Sequence, residues 1–259
     1  MVTYNETELE RASILDDPDI TLEQVLLHPE FTDAYREYDN KLIDYLCQTQ
    51  NILRMIEFIR QGPDLSKSSD KQYDLICRVE FLFQQDVSSV KAAFLSNTVT
   101  LDALYSILED DESSSRLSTL TLTCRIFSTV YRDAALLQFL ATKPELVSTF
   151  FRLVDYDCVR DLFISFFHIY ESSAFALFQS LDNQHFVQRL LKRFLSEETK
   201  ESPSASTDQK TLIGHFLCQI MFVMRQLSQA AHQPANPLLA HLESLDPLGL
   251  LDGTEIALI

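Results

Sequence analysis

Glycine is scarce in this chain: 259 residues contain only four glycines. Folds that rely on tight turns, and loops that cradle phosphate, place glycine where the backbone needs a positive φ or a close approach. Nearly every segment instead repeats its apolar residues at helical spacing, and almost none alternates apolar with polar residues as a strand would. The sequence therefore predicts an all-α fold.

The predicted helices fill most of the chain after an N-terminal tail at 1–20. They cover residues 21–27, 30–48, 51–60, 71–84, 88–95, 101–109, 117–131, 134–141, 144–154, 156–170, 173–181, 184–195, 209–231 and 237–244. Gly62 and Pro144 mark breaks between helices. The polar, serine-rich composition of 197–208 predicts a flexible loop.

Two segments, 41–59 and 135–153, match when they are laid over one another without a gap. The matched apolar pairs are Leu42 with Leu136, Tyr45 with Phe139, Leu46 with Leu140, Ile52 with Leu146, Leu53 with Val147, Ile56 with Phe150 and Ile59 with Leu153. A weaker third copy runs through Leu177, Leu181, Phe186, Val187 and Leu190. The offset suits about two armadillo or HEAT units of ~40–47 residues, so residues 21–259 are predicted to form one armadillo/HEAT-like α-solenoid of helical hairpins. The alternative is that any hairpin of Leu and Phe would align this well.

The formal net charge is −17. Such a charge repels nucleic acid and anionic membrane surfaces, so neither is an expected partner. The longest apolar region, 162–181, contains His168 and Glu171 and therefore predicts two packed helices and no membrane insertion. The five cysteines are odd in number and include no Cys-x-x-Cys pair. They predict reduced core thiols and a cytoplasmic protein, with the nucleus also open.

Charged residues interrupt the apolar run at 154–170. In a helix over 156–170, one stripe contains Asp157, Arg160, Asp161, Ser165 and His168, and the other residues are apolar. An inner helix of a solenoid is covered by its neighbours, so that only a narrow stripe reaches solvent. This stripe is predicted to line the concave face.

Three other predicted helices carry a similar stripe. Their polar residues are Asp74 and Arg78; Ser118, Thr121, Arg125, Ser128 and Arg132; and Arg225 and Gln229. Each helix has an arginine at mid-length, which predicts an arginine ladder that pairs bidentately with carboxylates of a protein partner. The predicted partner-binding residues are Asp74, Arg78, Arg125, Asp157, Arg160, Asp161, His168 and Arg225. The alternative is that the arginines pair internally with the neighbouring aspartates.

The sequence contains no familiar catalytic motif. The phosphate-loop, dinucleotide-binding, zinc-protease and hydrolase-nucleophile patterns are all missing. Cys158 and His168 would lie ~15 Å apart along one helix, too far to act as nucleophile and base. The six histidines show no spacing of three or four residues that would suit a metal. The chain is predicted to be no enzyme and to need no cofactor.

Seven segments in a fixed order carry a family resemblance. They are TLEQVL, DNKLIDYL, NILRMIEFI, YDLICRVEFLF, LSTLTLTCRIFSTVYRDAALLQFLATKPELVSTFFRLVDYDCVRDLFISFF, HFVQRLLKRFLSEETKESPSASTDQKTLIGHFL and NPLLAHLESLD. From residue 21 to 246 the chain resembles the SAPS-domain family, the regulatory subunits of protein phosphatase 6 and their fungal counterpart. The order and spacing of the segments carry the match.

The resemblance implies a non-catalytic α-solenoid that binds a phosphatase-6-type Ser/Thr protein phosphatase catalytic subunit, directs it to substrates and meets further scaffold proteins. Members of that family continue with more helices and an acidic tail, so the chain is expected to be a reduced member or an N-terminal portion. Two other classes stay open. One is a helical-repeat adaptor for vesicle tethering or transport complexes. The other is an enzyme, whose site would be a deep pocket with strongly perturbed ionisable groups.

Overall fold

The computed structural model describes residues 14–17, 19–62, 70–85, 87–111, 117–169, 172–196, 216 and 220. The α-helices with assigned bounds are α1 Leu22–Leu26, α2 Phe31–Arg36, α3 Asn40–Leu46, α4 Thr49–Gln61, α5 Asp70–Gln84, α6 Ser88–Leu95, α7 Thr98–Glu109, α8 Leu117–Thr129, α9 Ala134–Ala141, α10 Leu146–Leu153, α11 Asp157–Phe167, α12 Phe175–Asn183 and α13 Phe186–Ser196. A 3-10 turn, Ser172–Ala174, precedes α12, and no strand occurs in this part of the chain. The predicted all-α class is confirmed.

Several predictions fall outside the described residues. They are the loop at 197–208, most of the tail at 1–20, and the helices at 209–231 and 237–244 apart from Phe216 and Ile220.

The predicted helix at 30–48 is two helices in the structure. α2 ends at Arg36, and α3 begins at Asn40. Between them Tyr38 has a φ of 59°, a value that a right-handed helix cannot contain. Asp39 then caps α3, because its Oδ1 accepts a hydrogen bond from the backbone N–H of Leu42 at 3.1 Å.

Backbone packing divides the chain into two compact units, Met1–Phe94 and Leu95–Ile259. The formation of one solenoid by residues 21–259 stays a prediction. Each unit is organised around its own buried apolar side chains.

In the first unit, α5 packs against both α1 and α4. α2 joins the same helix through Tyr35, which is fully buried and donates its hydroxyl to the carbonyl of Leu82 at 3.2 Å. Arg54 on α4 pairs with Glu23 on α1 at 2.8 Å. In the first unit, α5 therefore contacts α1, α2 and α4.

In the second unit, three consecutive helices pack on the next three in the same order. α8 packs against α11, and α9 packs against α12. α10 meets α13 through Phe151 and Phe186, whose ring centroids are 5.9 Å apart. Such layer-on-layer order is typical of helical repeats and supports the predicted solenoid within this unit.

Two hydrogen bonds between these layers share one sequence separation. Gln184 Nε2 donates to the carbonyl of Lys143 at 2.9 Å, and Arg189 Nη1 donates to Ser148 Oγ at 3.2 Å, and each bond joins residues 41 apart. This separation lies within the ~40–47 residues of armadillo and HEAT units. The weaker third copy in the sequence therefore corresponds to α12 and α13.

Phe150 lies at the centre of the core of the second unit and is 1% exposed. Its ring centroid is 4.0 Å from that of Phe163, 5.5 Å from that of Phe186 and 5.4 Å from that of Phe216. Burying one such side chain is worth roughly 1.5–3 kcal/mol, and each favourable ring pair adds about 0.5–1.5 kcal/mol. The cluster ties α10 to α11 and α13.

The two matched segments form the predicted arrangement of helix, turn and helix, as α3–α4 and α9–α10. Their first helices are capped alike: Asp39 accepts from Leu42, and Asp133 Oδ1 accepts from the backbone N–H of Ala135 at 2.8 Å. The matched apolar residues are all buried except Tyr45 and Leu53, which are partly exposed.

Candidate partner-binding surface

The guanidinium of Arg160 is buried at the corner between α10 and α11. Its Nη1 donates to the carbonyl of Val154, just after α10, at 2.6 Å, and its Nη2 pairs with Asp157 Oδ1 at the first residue of α11. The Arg160 side chain is 8% exposed, whereas that of Asp157 is 86% exposed. The expectation that the whole stripe reaches solvent is wrong for Arg160. Its guanidinium is buried because it bonds to Val154 and Asp157 at the corner between α10 and α11. Its part in partner binding stays a prediction.

Exposed carboxylates of Asp155, Asp157 and Asp161 lie at the start of α11. Burial lowers the pKa of Arg160, while the negative charges of Asp161 and Asp155 act in the opposite direction. Three carboxylates and one guanidinium leave this surface negative. We call Asp155, Asp157 and Asp161 the α11 acidic surface, and its charge suits cationic groups of a partner better than the carboxylates predicted for the ladder.

The other two residues of the stripe lie further along α11. Ser165 donates its hydroxyl to the carbonyl of Asp161 at 2.8 Å, so the hydroxyl is satisfied within the helix. His168 is exposed at the C-cap of α11. Both Asp161 and His168 are therefore accessible from solvent, as predicted from the spacing.

α8 carries the second predicted stripe and packs on α11. Arg125 is exposed at mid-helix, and Arg132 is exposed beyond the end of α8. Ser128 donates to the carbonyl of Cys124 at 2.9 Å and so turns back onto its own helix. Of the two ladder arginines described in the second unit, Arg125 reaches solvent and Arg160 does not.

The remaining predicted residues lie in other parts of the chain. Arg78 on α5 donates to Thr32 Oγ1 on α2 and lies over the Phe31 ring, with the guanidinium carbon 5.9 Å from the centroid. Asp74 on the same helix is exposed. Arg78 thus contributes to packing between α2 and α5. Arg225, like Gln229, falls outside the described residues.

A pair of thiols lies where α8 meets α11, although the sequence predicts only separate reduced core thiols. A hydrogen bond from the Cys124 thiol lowers the pKa of Cys158 to about 6, with burial acting against it and Thr121 and backbone N–H groups at the start of α11 adding to it. The same hydrogen bond, together with burial, raises the pKa of Cys124. The two residues lie on different helices, so only the packing of α8 on α11 reveals the pair.

Two kinds of site are not found in the described part of the chain. No group of three or more His, Cys, Asp or Glu side chains there is arranged to hold a metal ion. No helix there is both long and apolar enough to cross a bilayer.

A family model described as SAPS, SIT4 phosphatase-associated protein, matches residues 131–248. The resemblance to the SAPS family is confirmed. We call 131–248 the SAPS segment, and among the described helices it contains α9 to α13. The predicted residues inside the SAPS segment are Asp157, Arg160, Asp161, His168 and Arg225, and those before it are Asp74, Arg78 and Arg125.

Curated relatives match far more of the chain than the SAPS segment. Serine/threonine-protein phosphatase 6 regulatory subunit 1 from Mus musculus is 23% identical over 246 residues, which cover 91% of this chain and 27% of the relative. Serine/threonine-protein phosphatase 6 regulatory subunit 2 from Homo sapiens is 22% identical over 239 residues, which cover 90% of this chain and 24% of the relative. The chain spans about a quarter of the length of these relatives. No solved structure matches it.

Proposed function

We propose that the chain is a non-catalytic regulatory or scaffold subunit, which binds a phosphatase-6-type Ser/Thr protein phosphatase catalytic subunit and directs it to substrates. The observation that carries this proposal is the similarity over 246 residues to a phosphatase 6 regulatory subunit, since it covers 91% of the chain. The stacked helices of the second unit support it, because repeats of this kind present extended surfaces to protein partners.

The α11 acidic surface is the part of the SAPS segment that we propose for this contact. Asp157 is held by the buried Arg160, and Asp161 lies exposed beside it. A carboxylate whose position is fixed before binding loses less side-chain freedom on association. Arg160 then acts as a positioning residue, while the exposed carboxylates pair with lysine or arginine of the partner.

Co-elution tests the proposal. The purified chain is mixed at micromolar concentration with a phosphatase-6-type catalytic subunit and separated by size-exclusion chromatography, with another type of Ser/Thr phosphatase catalytic subunit as the control. We expect one earlier peak containing both proteins only with the phosphatase-6-type subunit, and no phosphate release from a phosphopeptide by the chain alone. Separate elution of the chain and that catalytic subunit would contradict the proposal.

The proposed surface has its own test. Asp161→Lys should weaken the complex by ~2–5 kcal/mol, because the reversal removes a charge paired across an interface. Its free energy of unfolding should change by no more than ~0.5 kcal/mol, since Asp161 is exposed. Glu109→Lys, an equal reversal at an exposed residue outside the SAPS segment, is the matched control. Equal affinities for the two variants would remove α11 from the interface and leave the regulatory proposal standing.

Arg160→Glu is unsuitable for measuring affinity, because the guanidinium is buried. Reversal there places two carboxylates together at the α10–α11 corner and should lower the free energy of unfolding by ~3–5 kcal/mol. A variant with unchanged melting temperature would show that the corner does not depend on the guanidinium.

A further inference from the structure

Two thiols from separate helices meet in the second unit. Cys124 lies in α8 and is 2% exposed, while Cys158 is the second residue of α11 and is partly exposed. The two thiols are close enough to change one another's ionisation. Thr121, one turn before Cys124, also reaches Cys158, with 3.9 Å between Oγ1 and Sγ. Two side chains of α8, Thr121 and Cys124, therefore lie next to the sulfur of Cys158.

The surroundings of Cys158 favour its thiolate form. α11 is 11 residues long, and Cys158 lies in its first turn, where the backbone N–H groups of Cys158 and Val159 stabilise negative charge. The pKa of Cys158 is accordingly lowered, chiefly through the hydrogen bond from Cys124 and then through Thr121 and those N–H groups. A thiolate is the form of cysteine that attacks oxidants.

We propose that Cys124 and Cys158 are a peroxide-sensitive site, in which Cys158 is oxidised first and Cys124 then closes a disulfide between α8 and α11. Partial exposure lets a small oxidant such as hydrogen peroxide reach Cys158, whereas Cys124 is buried. The inference does not depend on the phosphatase proposal, because it rests only on the packing of these two helices.

The chemistry balances with one peroxide. The Cys158 thiolate attacks an oxygen of hydrogen peroxide, an S–O bond forms, the O–O bond breaks, and the departing hydroxide takes a proton to become water. The Cys124 sulfur then attacks the sulfenic sulfur, an S–S bond forms, the S–O bond breaks, and the thiol proton leaves with the hydroxide as a second water. Two thiols are oxidised, and one peroxide is reduced to two waters.

The packing gives the second step a short path. A disulfide requires the two Cα atoms to lie within about 4.4–6.8 Å, which only helices in direct contact can provide. α8 and α11 are such a pair, and Thr121, one turn before Cys124 on α8, lies 3.9 Å from the Cys158 sulfur. Closure would covalently join two layers of the second unit.

The test uses the full chain, treated with hydrogen peroxide at pH 7 and analysed by mass spectrometry without reductant. We expect a loss of about 2 Da, the two hydrogens of a disulfide, with the cross-linked peptides containing Cys124 and Cys158. C124S should stop at a sulfenic acid on Cys158 that dimedone traps, and C158S should form no cross-link. C77S, which removes a partly exposed thiol of the first unit, is the matched control and should behave like the unaltered chain.

Alkylation rates measure the reactivity of Cys158 without requiring the disulfide to form. At pH 7 a larger fraction of Cys158 is thiolate, but a weakly basic thiolate is a weaker nucleophile, which offsets part of this advantage. Cys158 should therefore react with iodoacetamide at least about threefold faster than Cys77. Unfolding in guanidinium chloride should remove that difference. The proposal is overturned if peroxide yields no Cys124–Cys158 cross-link, or if Cys158 in the folded chain reacts no faster than Cys77.

Discussion

The hairpins α3–α4 and α9–α10 share one apolar pattern, yet their turns are stabilised in different ways. In the first, Asn51 Nδ2 donates to the carbonyl of Tyr45 at 2.7 Å, so the bond stays within the hairpin. In the second, Gln184 at the end of α12 accepts from the backbone N–H of Val147 at 3.0 Å and donates to the carbonyl of Lys143 at 2.9 Å. Apolar spacing thus determines the hairpin, and a few polar residues determine whether a turn depends on its neighbour.

Proline adds a second difference between the hairpins. α4 begins at Thr49, soon after α3 ends, whereas α10 begins only at Leu146. Lys143 is the matched counterpart of Thr49, and Pro144 follows it, which disfavours helical backbone at Lys143. The longer turn of the second hairpin leaves backbone groups that Gln184 satisfies.

Truncation at matched core positions should show the largest effect. Phe150→Ala should lower the free energy of unfolding by about 4 kcal/mol, and Ile56→Ala by about 3 kcal/mol, because only Phe150 loses several ring contacts. Urea unfolding measures both values. Val99→Ala, at a residue 54% exposed, should change stability by no more than ~0.5 kcal/mol. Equal losses at the two core positions would mean that the ring cluster adds nothing to ordinary burial.

Removing the two turn contacts should separate the hairpins more clearly. Gln184→Ala leaves the Val147 N–H without its acceptor and removes one of the two hydrogen bonds to the Lys143 carbonyl, so it should cost about 2 kcal/mol, whereas Asn51→Ala should cost about 1 kcal/mol. Hydrogen exchange at the Val147 amide should accelerate in the first variant only. Gln179→Ala, on the exposed side of α12, is the control. An unchanged Val147 amide in Gln184→Ala would show that the second turn is self-sufficient.

The shared caps should give matched effects. Asp39→Ala and Asp133→Ala each remove the side-chain acceptor at the start of a helix, and each should cost about 1 kcal/mol. Asn at either position keeps an acceptor and should lose only a few tenths of a kcal/mol. Thermal unfolding of the four variants measures these changes in stability. If the two alanine variants differ by more than about 1 kcal/mol, the two caps are not equivalent.

The smallest effect should come from the ion pair between Arg54 of the first hairpin and Glu23 of α1. Partial burial of Glu23 opposes its ionisation, but the hydrogen bond and positive charge of Arg54, together with hydrogen bonds from the backbone N–H of Glu23 and from Thr21, outweigh burial and lower the pKa of the carboxyl. A lowered folded-state pKa stabilises the fold above the ordinary value of about 4.3, and that stabilisation is lost as the pH falls through the folded-state pKa. Glu23→Gln should remove about 0.2–1 kcal/mol at pH 7 and nothing at a low pH at which the carboxyl is protonated in the folded and unfolded states alike. A loss that persisted at the lower pH would exclude the ion pair as its cause.

Apolar spacing predicts the helices well and predicts the break at Tyr38 poorly. Tyr35 and Leu42 keep the helical period across 36–40, so the pattern alone predicts one long helix. The available signal is Asp39, a residue type that favours the N-cap position. Periodicity reports which side chains are apolar, whereas one backbone angle at Tyr38 decides where the helix stops.

Residue spacing alone is also insufficient to predict the candidate surface. A polar stripe looks identical in sequence whether its arginine points to solvent or turns back onto its own corner. Asp157, three residues before Arg160, and the helix end at Leu153 are the signals that favour the second arrangement. No sequence signal pairs Cys124 with Cys158, because that contact depends on the packing of α8 on α11.

The buried guanidinium also determines how the second unit transmits force. Arg160 joins the carbonyl at the end of α10 to the first carboxylate of α11, and its planar fork holds both in one orientation. A corner fixed in this way bends little, so α10 and α11 should move together as one rigid lever. Elastic deformation of the unit would then occur mainly in turns that lack a comparable guanidinium bridge. A force applied to α11 would be transmitted directly to the Phe150 cluster.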